Sequence, residues 1–162
     1  MAGFSKILTS FVLVVWSSGV VAADFPSGPD AEITPGALCE KPTERRYPEK
    51  IKYCERNVSS ETKAAVIGIY DRDLGFRVGQ MHRGDFKIDH LIPLCAGGSN
   101  SPKNLWPQHK TIFALTDRLE GFLCEILATG KIKQIEVVKI IRRAKNNPDS
   151  AHYEFEELQR RF

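Results

Sequence analysis

The chain has little that would anchor it in a membrane or build a structural zinc site. Its most apolar run, residues 7–16, is shorter than the roughly 20 residues that a membrane-spanning helix needs. The sequence contains four cysteines but no Cys-x-x-Cys pair, and their spacing matches no structural zinc pattern. The net charge of +3 neither requires nor excludes a nucleic-acid partner. Repeats and low-complexity tracts are also missing.

The first residues have the pattern of a secretory signal peptide. Lys6 supplies a positive start, residues 7–16 form a short apolar core, and small residues up to Ala23 suit cleavage. We therefore expect a signal peptide over residues 1–23 and a mature chain that starts near Asp24. The expected location is secreted or periplasmic, with no membrane span after cleavage. An uncleaved membrane anchor is the alternative.

All the cysteines lie in the expected mature chain, at Cys39, Cys54, Cys95 and Cys124. An even number of cysteines behind a signal peptide predicts disulfides formed in an oxidising compartment. Four cysteines allow three pairings, and the sequence does not choose among them.

The mature chain divides into three stretches. Residues 24–58 are rich in proline, glycine and charge, which predicts an irregular N-terminal arm held by Cys39 and Cys54. Residues 59–150 are expected to form one domain, and residues 151–162 a C-terminal tail.

Apolar residues at helical spacing predict helices over residues 59–70, 110–128 and 133–146. Ser59 or Ser60 can cap the first helix by accepting a backbone N–H bond.

A distinctive segment, FKIDHLIPLCAGGSNSPKNLWPQ, occupies residues 86–108, between the first two predicted helices. Alternating apolar and polar residues from Phe86 to Ile92 predict a strand, and the Gly-Gly stretch predicts a turn. Asp89 and His90 lie within that strand, whereas KNLW forms a short partner strand directly before the next helix.

An Asp beside a His can divide the work of phosphodiester hydrolysis. A carboxylate binds a hard divalent cation through oxygen, and a neutral imidazole takes a proton from water. The cation offsets charge on the phosphate and on the leaving oxygen.

The segment IDHLIPLCAGGSNSPKNLWPQ, residues 88–108, resembles the HNH endonucleases of the ββα-metal type. It is similar in particular to small secreted bacterial proteins with the pattern DHxxPLxxGGSNxxxNLWPQ, and a looser likeness continues through TDRLE, residues 116–120. We expect an α+β fold in which a short β-hairpin plus helix core carries flanking helices and a disulfide-braced N-terminal arm. The resemblance implies a metal-dependent endonuclease acting on DNA, with RNA as an alternative. No element suited to reading a groove is evident, which predicts little sequence preference.

The resemblance also implies roles by position. His90 corresponds to the general base that activates water, and Asp89 corresponds to a metal ligand. Asn104 corresponds to the residue whose amide braces the loop between the strands and so helps to orient His90.

The helix departs from the family pattern, because Phe113 stands where a second metal ligand is expected. His109, at the helix entrance, is the preferred substitute, and Asp117 is the alternative. The implied cofactor is Mg²⁺, with Mn²⁺ or Zn²⁺ as alternatives.

Four basic residues near this segment are candidate contacts for nucleic-acid phosphates: Arg83, Lys87, Lys103 and Lys110. Trp106 can stack on a base, but a core position behind the hairpin is the preferred interpretation.

Two other functions are compatible with this sequence. One is a catalytically degenerate module that binds nucleic acid or a protein partner. The other is a disulfide-braced domain in which the Asp89–His90 pair is structural. The sequence identifies no inhibitor and no host partner.

Overall fold

The structure, a computed structural model, describes residues 23–162, so the predicted signal peptide lies outside the described residues except for Ala23. Four strands and four α-helices follow one another in the described part of the chain, besides short 3-10 turns: β1 (Glu44–Arg46), β2 (Ile51–Tyr53), α1 (Ser60–Leu74), β3 (Phe86–His90), β4 (Leu105–His109), α2 (Lys110–Ala128), α3 (Gln134–Asn146) and α4 (Ala151–Arg161). The fold is α+β, and within this range the strands form two two-stranded antiparallel sheets.

The central hairpin has the predicted order of strand, turn, strand and helix. In β3 and β4, Phe86 pairs with His109 at one end and His90 pairs with Leu105 at the other. α2 begins directly after β4, so the hairpin and the helix form one continuous unit. β3 ends at His90 rather than at Ile92, because the chain turns there toward the loop that Asn104 holds.

The predicted helices are confirmed, and one is longer than expected. Ser59 caps α1 by accepting the Thr62 N–H at 3.1 Å, and the helix continues to Leu74 instead of ending at residue 70. Gly75 then ends it in the left-handed conformation, at φ 76°.

The expected C-terminal tail is a helix that belongs to the core. In α4, Phe155 packs edge to face on Phe122 of α2 with ring centres 5.4 Å apart, and Leu158 is buried. Apolar residues at helical spacing, Ala151, Phe155 and Leu158, carry this face within an otherwise charged stretch.

The N-terminal arm is braced as expected, but it is not wholly irregular. β1 and β2 form a small hairpin inside it. The arm also lies against the central hairpin, since Thr34 Oγ1 donates to the Leu105 carbonyl at 3.0 Å and the Phe25 ring stacks on His109.

Two disulfides connect Cys39 to Cys54 and Cys95 to Cys124. The first closes the arm, and the second ties the loop after β3 to α2. Within residues 23–162, no helix is long and apolar enough to cross a membrane.

Candidate active site

Asn104 holds the loop that follows β3. Its Oδ1 accepts the Ile92 N–H at 2.9 Å, while its Nδ2 donates to the carbonyls of Ile92 and Ser99, both at 2.9 Å. The side chain is completely buried. Asn104 therefore makes the bracing contacts expected of it, whereas its part in catalysis stays a prediction.

The Gly-Gly turn is required by the close approach of this loop to Asn104. A Cβ atom on Gly98 would collide with the Ile92 carbonyl and would lie 2.9 Å from the Asn104 Nδ2. Gly97 has a φ of 81°, which an L side chain rarely adopts. The two glycines therefore let the chain fold back under the end of β3.

His90, at the end of β3, is held by one of its two ring nitrogens. Nε2 lies 3.1 Å from Asn100 Oδ1, and the Asn100 amide donates to the Glu55 carbonyl at 2.7 Å. Because the Asn100 Nδ2 is engaged with Glu55, its Oδ1 is the acceptor, and Nε2 carries the proton. The ring is only 2% exposed, and Nδ1 has no hydrogen-bond partner among residues 23–162.

The surroundings of His90 favour the neutral imidazole. Burial lowers the pKa of His90, and the positive charge of Arg56 lowers it further, against opposing effects of Asn100 and Asp89. A neutral ring with its proton on Nε2 has its basic lone pair on Nδ1. His90 is thus an uncharged ring at neutral pH, held by Asn100 at Nε2 and with its lone pair on Nδ1.

A polar cavity of about 460 Å³ lies on the other side of Asn100. Its lining comes from the arm and the loop: Lys41, Thr43, Cys54, Glu55, Arg56, Asn57 and Asn100. Asn100 contacts both this cavity and the His90 ring. The cavity has two basic side chains and one acidic side chain, a composition suited to an anion.

Asp89 points to the opposite face of β3 from His90, because side chains alternate along a strand. Its Oδ2 accepts a hydrogen bond from Lys145 Nζ at 2.8 Å, and Lys87 Nζ lies 3.8 Å away. Burial alone would raise the pKa of Asp89, but Lys145 and Lys87 hold that pKa below its ordinary value. The carboxylate is therefore charged and already neutralised by the protein.

His109 does not join Asp89 at a common metal ion, which corrects the expected ligand pair. Asp89 pairs with Trp106 in the hairpin, three residues before His109, and three residues of strand span about 10 Å. The two side chains also point to opposite faces. His109 instead caps α2, since its Nδ1 accepts the Thr111 N–H at 3.3 Å, and its ring stacks on Phe25 at 3.8 Å.

The residues that the structure describes do not form a ligand set for the divalent ion that the family resemblance implies. Within residues 23–162, no group of three or more His, Cys, Asp or Glu side chains converges on one point. Asp117, the alternative ligand, binds the Lys87 ammonium at 2.8 and 2.9 Å. Asp89 and Asp117 are thus occupied by lysine ammonium groups and not by a metal-ligand set.

The four candidate phosphate contacts are spread along the hairpin rather than gathered around His90, and their contact with nucleic acid stays a prediction. Arg83 donates to the Phe86 carbonyl at 2.9 Å, and Lys110 pairs with Asp85 at 2.8 Å. Both lie at the other end of the hairpin, about 13 Å of strand from His90. Lys87 belongs to the charged network around Asp89.

Lys103, the fourth candidate, precedes Asn104 and is exposed at the His90 end of the hairpin. Trp106 is completely buried, so the preferred core position is confirmed and the base-stacking alternative does not hold.

Two residues that matter for this site were not singled out in the sequence. Asn100 lies in the turn, where a polar residue is ordinary. Lys145 closes a basic run, but it stands eight residues after Val137 and four after Ile141, so helical spacing puts it on the apolar face of α3. That spacing is the signal that predicts its burial.

The fold is α+β. Its central antiparallel hairpin leads from β4 directly into α2, and the first strand of that hairpin, β3, ends in a buried Asp-His pair. Comparisons with models of protein families, with curated proteins and with solved structures found no match. Any function therefore rests on the residues of this chain.

Proposed function

We propose that the protein is an endonuclease of the HNH type that hydrolyses phosphodiester bonds of DNA, or of RNA, with His90 as the general base. The observation that carries this proposal is the state of the His90 ring. Asn100 fixes Nε2, while Nδ1 keeps a buried lone pair for which residues 23–162 offer no donor. A ring nitrogen without a protein partner keeps its lone pair available for a proton, and catalytic roles are among the reasons that proteins retain such groups.

The chemistry assigned to His90 is the removal of a proton from water. A neutral imidazole is the form that can accept this proton, and the lowered pKa of His90 keeps the ring neutral at neutral pH. Asn104 supports the base indirectly, because it fixes the backbone of Ile92, two residues after His90. The ring's orientation is thus set by Asn100 on one side and by the braced loop on the other.

The cavity beside Asn100 is the proposed site for the scissile phosphate. Lys41 and Arg56 line it and carry the opposite charge to a phosphodiester. Because His90 is 2% exposed and Asn100 lies between its Nε2 and the cavity, attack on a bound phosphate requires the Asn100 contacts to open and the ring to turn Nδ1 toward the cavity.

The proposed location is outside the cytoplasm. The two disulfides support it, because such bonds persist in oxidising compartments.

The test is cleavage of supercoiled plasmid, and of a labelled RNA, by protein with its disulfides intact. Mg²⁺, Mn²⁺, Zn²⁺ and EDTA are compared, since the resemblance implies a divalent ion. His90→Gln keeps an N–H donor near Asn100 but has no basic ring nitrogen, and we expect it to lose roughly 100-fold or more in rate. His152→Gln, at an exposed position of α4, is the matched control. Cleavage by His90→Gln at the wild-type rate would exclude His90 as the base.

A second candidate is a module that binds nucleic acid without cutting it. The burial of His90 and the neutralisation of Asp89 by Lys145 both favour it. In that case the protein retards DNA in a gel, no plasmid is nicked under any ion condition, and His90→Gln binds as the wild type does.

A further inference from the structure

Lys145 of α3 is completely buried, and its ammonium is surrounded by oxygen atoms from two other elements. Nζ donates to Asp89 Oδ2 at 2.8 Å and to the His90 carbonyl at 2.6 Å. Glu120 Oε2, from α2, lies 2.7 Å from the same nitrogen. β3, α2 and α3 therefore meet at one positive charge.

The arrangement of these oxygens is that of a small cation site. Two carboxylates and a backbone carbonyl are the ligand types that hard divalent cations prefer. An ammonium group is a compact charge with three donors, and here three oxygens lie within bonding distance of it. Burial would lower the pKa of Lys145, but Glu120 and Asp89 outweigh burial and raise it, so the side chain stays charged.

We propose that Lys145 is a built-in cation, which holds the Asp89 carboxylate, the Glu120 carboxylate and the His90 carbonyl in place of a divalent metal ion. Asp89 then binds no metal in the native protein. Loss of the ammonium leaves these three oxygens facing a vacant position, which a divalent cation can fill.

The test uses thermal unfolding of three proteins with intact disulfides: wild type, Lys145→Ala and Lys145→Met. Alanine removes the charge and leaves space, whereas methionine removes the charge and fills the space. We expect the wild-type Tm to be the same in EDTA and in millimolar Mn²⁺. Lys145→Ala should melt lower in EDTA and regain about 5–10 °C in Mn²⁺, and Lys145→Met should not respond to Mn²⁺.

The second measurement does not depend on the Lys145 variants being folded, and it requires only that Asp89→Asn keeps its fold, which circular dichroism checks. In an electron paramagnetic resonance titration, wild-type protein should leave Mn²⁺ free in solution, or bind it equally well after Asp89→Asn. Stoichiometric Mn²⁺ binding that Asp89→Asn abolishes would overturn the proposal.

A folded Lys145→Ala protein that ignores Mn²⁺ as Lys145→Met does would also overturn it. If Lys145→Ala does not fold in EDTA, recovery of the fold in Mn²⁺ supports the proposal. If Mn²⁺ does not restore the fold, the Mn²⁺ titration of the wild-type protein decides whether the proposal holds. None of these readouts requires cleavage of nucleic acid, so they stand apart from the nuclease assay.

Discussion

Two adjacent residues of β3 bury an ionisable group in opposite ways. Asp89 is matched by the Lys145 ammonium at 2.8 Å, with Lys87 3.8 Å away. His90 is matched at Nε2 alone, and no donor or acceptor in the described range satisfies Nδ1. An unsatisfied buried polar group costs about 1–3 kcal/mol. The first residue thus contributes to the fold through its ion pair, whereas the second keeps one ring nitrogen for which residues 23–162 supply no partner.

The largest expected loss of stability comes from breaking the ion pair between Asp89 and Lys145. Asp89→Asn removes a charge that faces the buried Lys145, and loss of one partner of a buried ion pair costs about 3–5 kcal/mol of unfolding free energy. Urea denaturation at neutral pH measures the loss. Asp117→Asn is the control, since its pair with Lys87 is half-exposed and worth at most about 1 kcal/mol. Equal losses in both variants would contradict a special role for the buried pair.

A smaller effect is expected from Asn104→Ala, which leaves the charges intact and removes the brace. The variant leaves the Ile92 N–H and the carbonyls of Ile92 and Ser99 without their side-chain partner. Each buried group left without a partner lowers the free energy of unfolding by about 1–3 kcal/mol. The same denaturation experiment applies, with the exposed Asn57→Ala as control. A loss below about 0.5 kcal/mol, as at an ordinary surface site, would show that the loop does not depend on Asn104.

The His90 side of the comparison predicts a pH dependence of stability. The pKa of His90 is lowered by burial in the folded state, whereas the unfolded chain takes up the proton near the ordinary value of about 6.5. Stability from this group is therefore present above about pH 6.5 and is lost as the pH falls through the folded-state pKa. The slope reaches at most roughly 1.4 kcal/mol per pH unit.

His90→Gln should flatten that part of the curve, whereas His152→Gln should leave it unchanged. Parallel curves for the wild type and His90→Gln would mean that the folded ring titrates as it does in the unfolded chain.

The smallest expected effect concerns the charge beside the cavity. Arg56 contributes to the lowered pKa of His90, so Arg56→Ala should raise that pKa, as measured by NMR titration of the ring protons. Added salt should shrink the difference, because the guanidinium is exposed. Arg45→Ala provides the control, and an equal shift in that variant would point to net charge rather than to Arg56.

Much of the fold could be predicted from the sequence because its signals are local. Apolar spacing defined α2 over residues 110–128, and the same residues form the helix in the structure. The Gly-Gly stretch predicted a turn, and the resemblance of residues 88–108 implied the Asn104 brace. Each of these features depends on residues within one short segment, since even the Asn104 brace joins residues only 12 positions apart.

The parts that sequence analysis could not predict depend on contacts between distant segments. Lys145 lies 56 residues from Asp89, and Asn100 meets Glu55 across 45 residues. His109 looked suitable as a ligand because it stands at the helix entrance, five residues after Asn104, but strand register sets it apart from Asp89. Charged side chains of α4 likewise hid the apolar face that Phe155 and Leu158 present to the core.

The covalent link between Cys39 and Cys54 has a practical consequence for work on this protein. Glu55, whose carbonyl holds Asn100 and through it the His90 ring, is the next residue after Cys54. The Cys39–Cys54 disulfide thus fixes the backbone next to the contacts that hold the imidazole. In the thiol-rich bacterial cytoplasm this disulfide would stay reduced. Protein produced there without oxidative refolding would lack this constraint on His90. A lack of nuclease activity in such a preparation would not test the native protein.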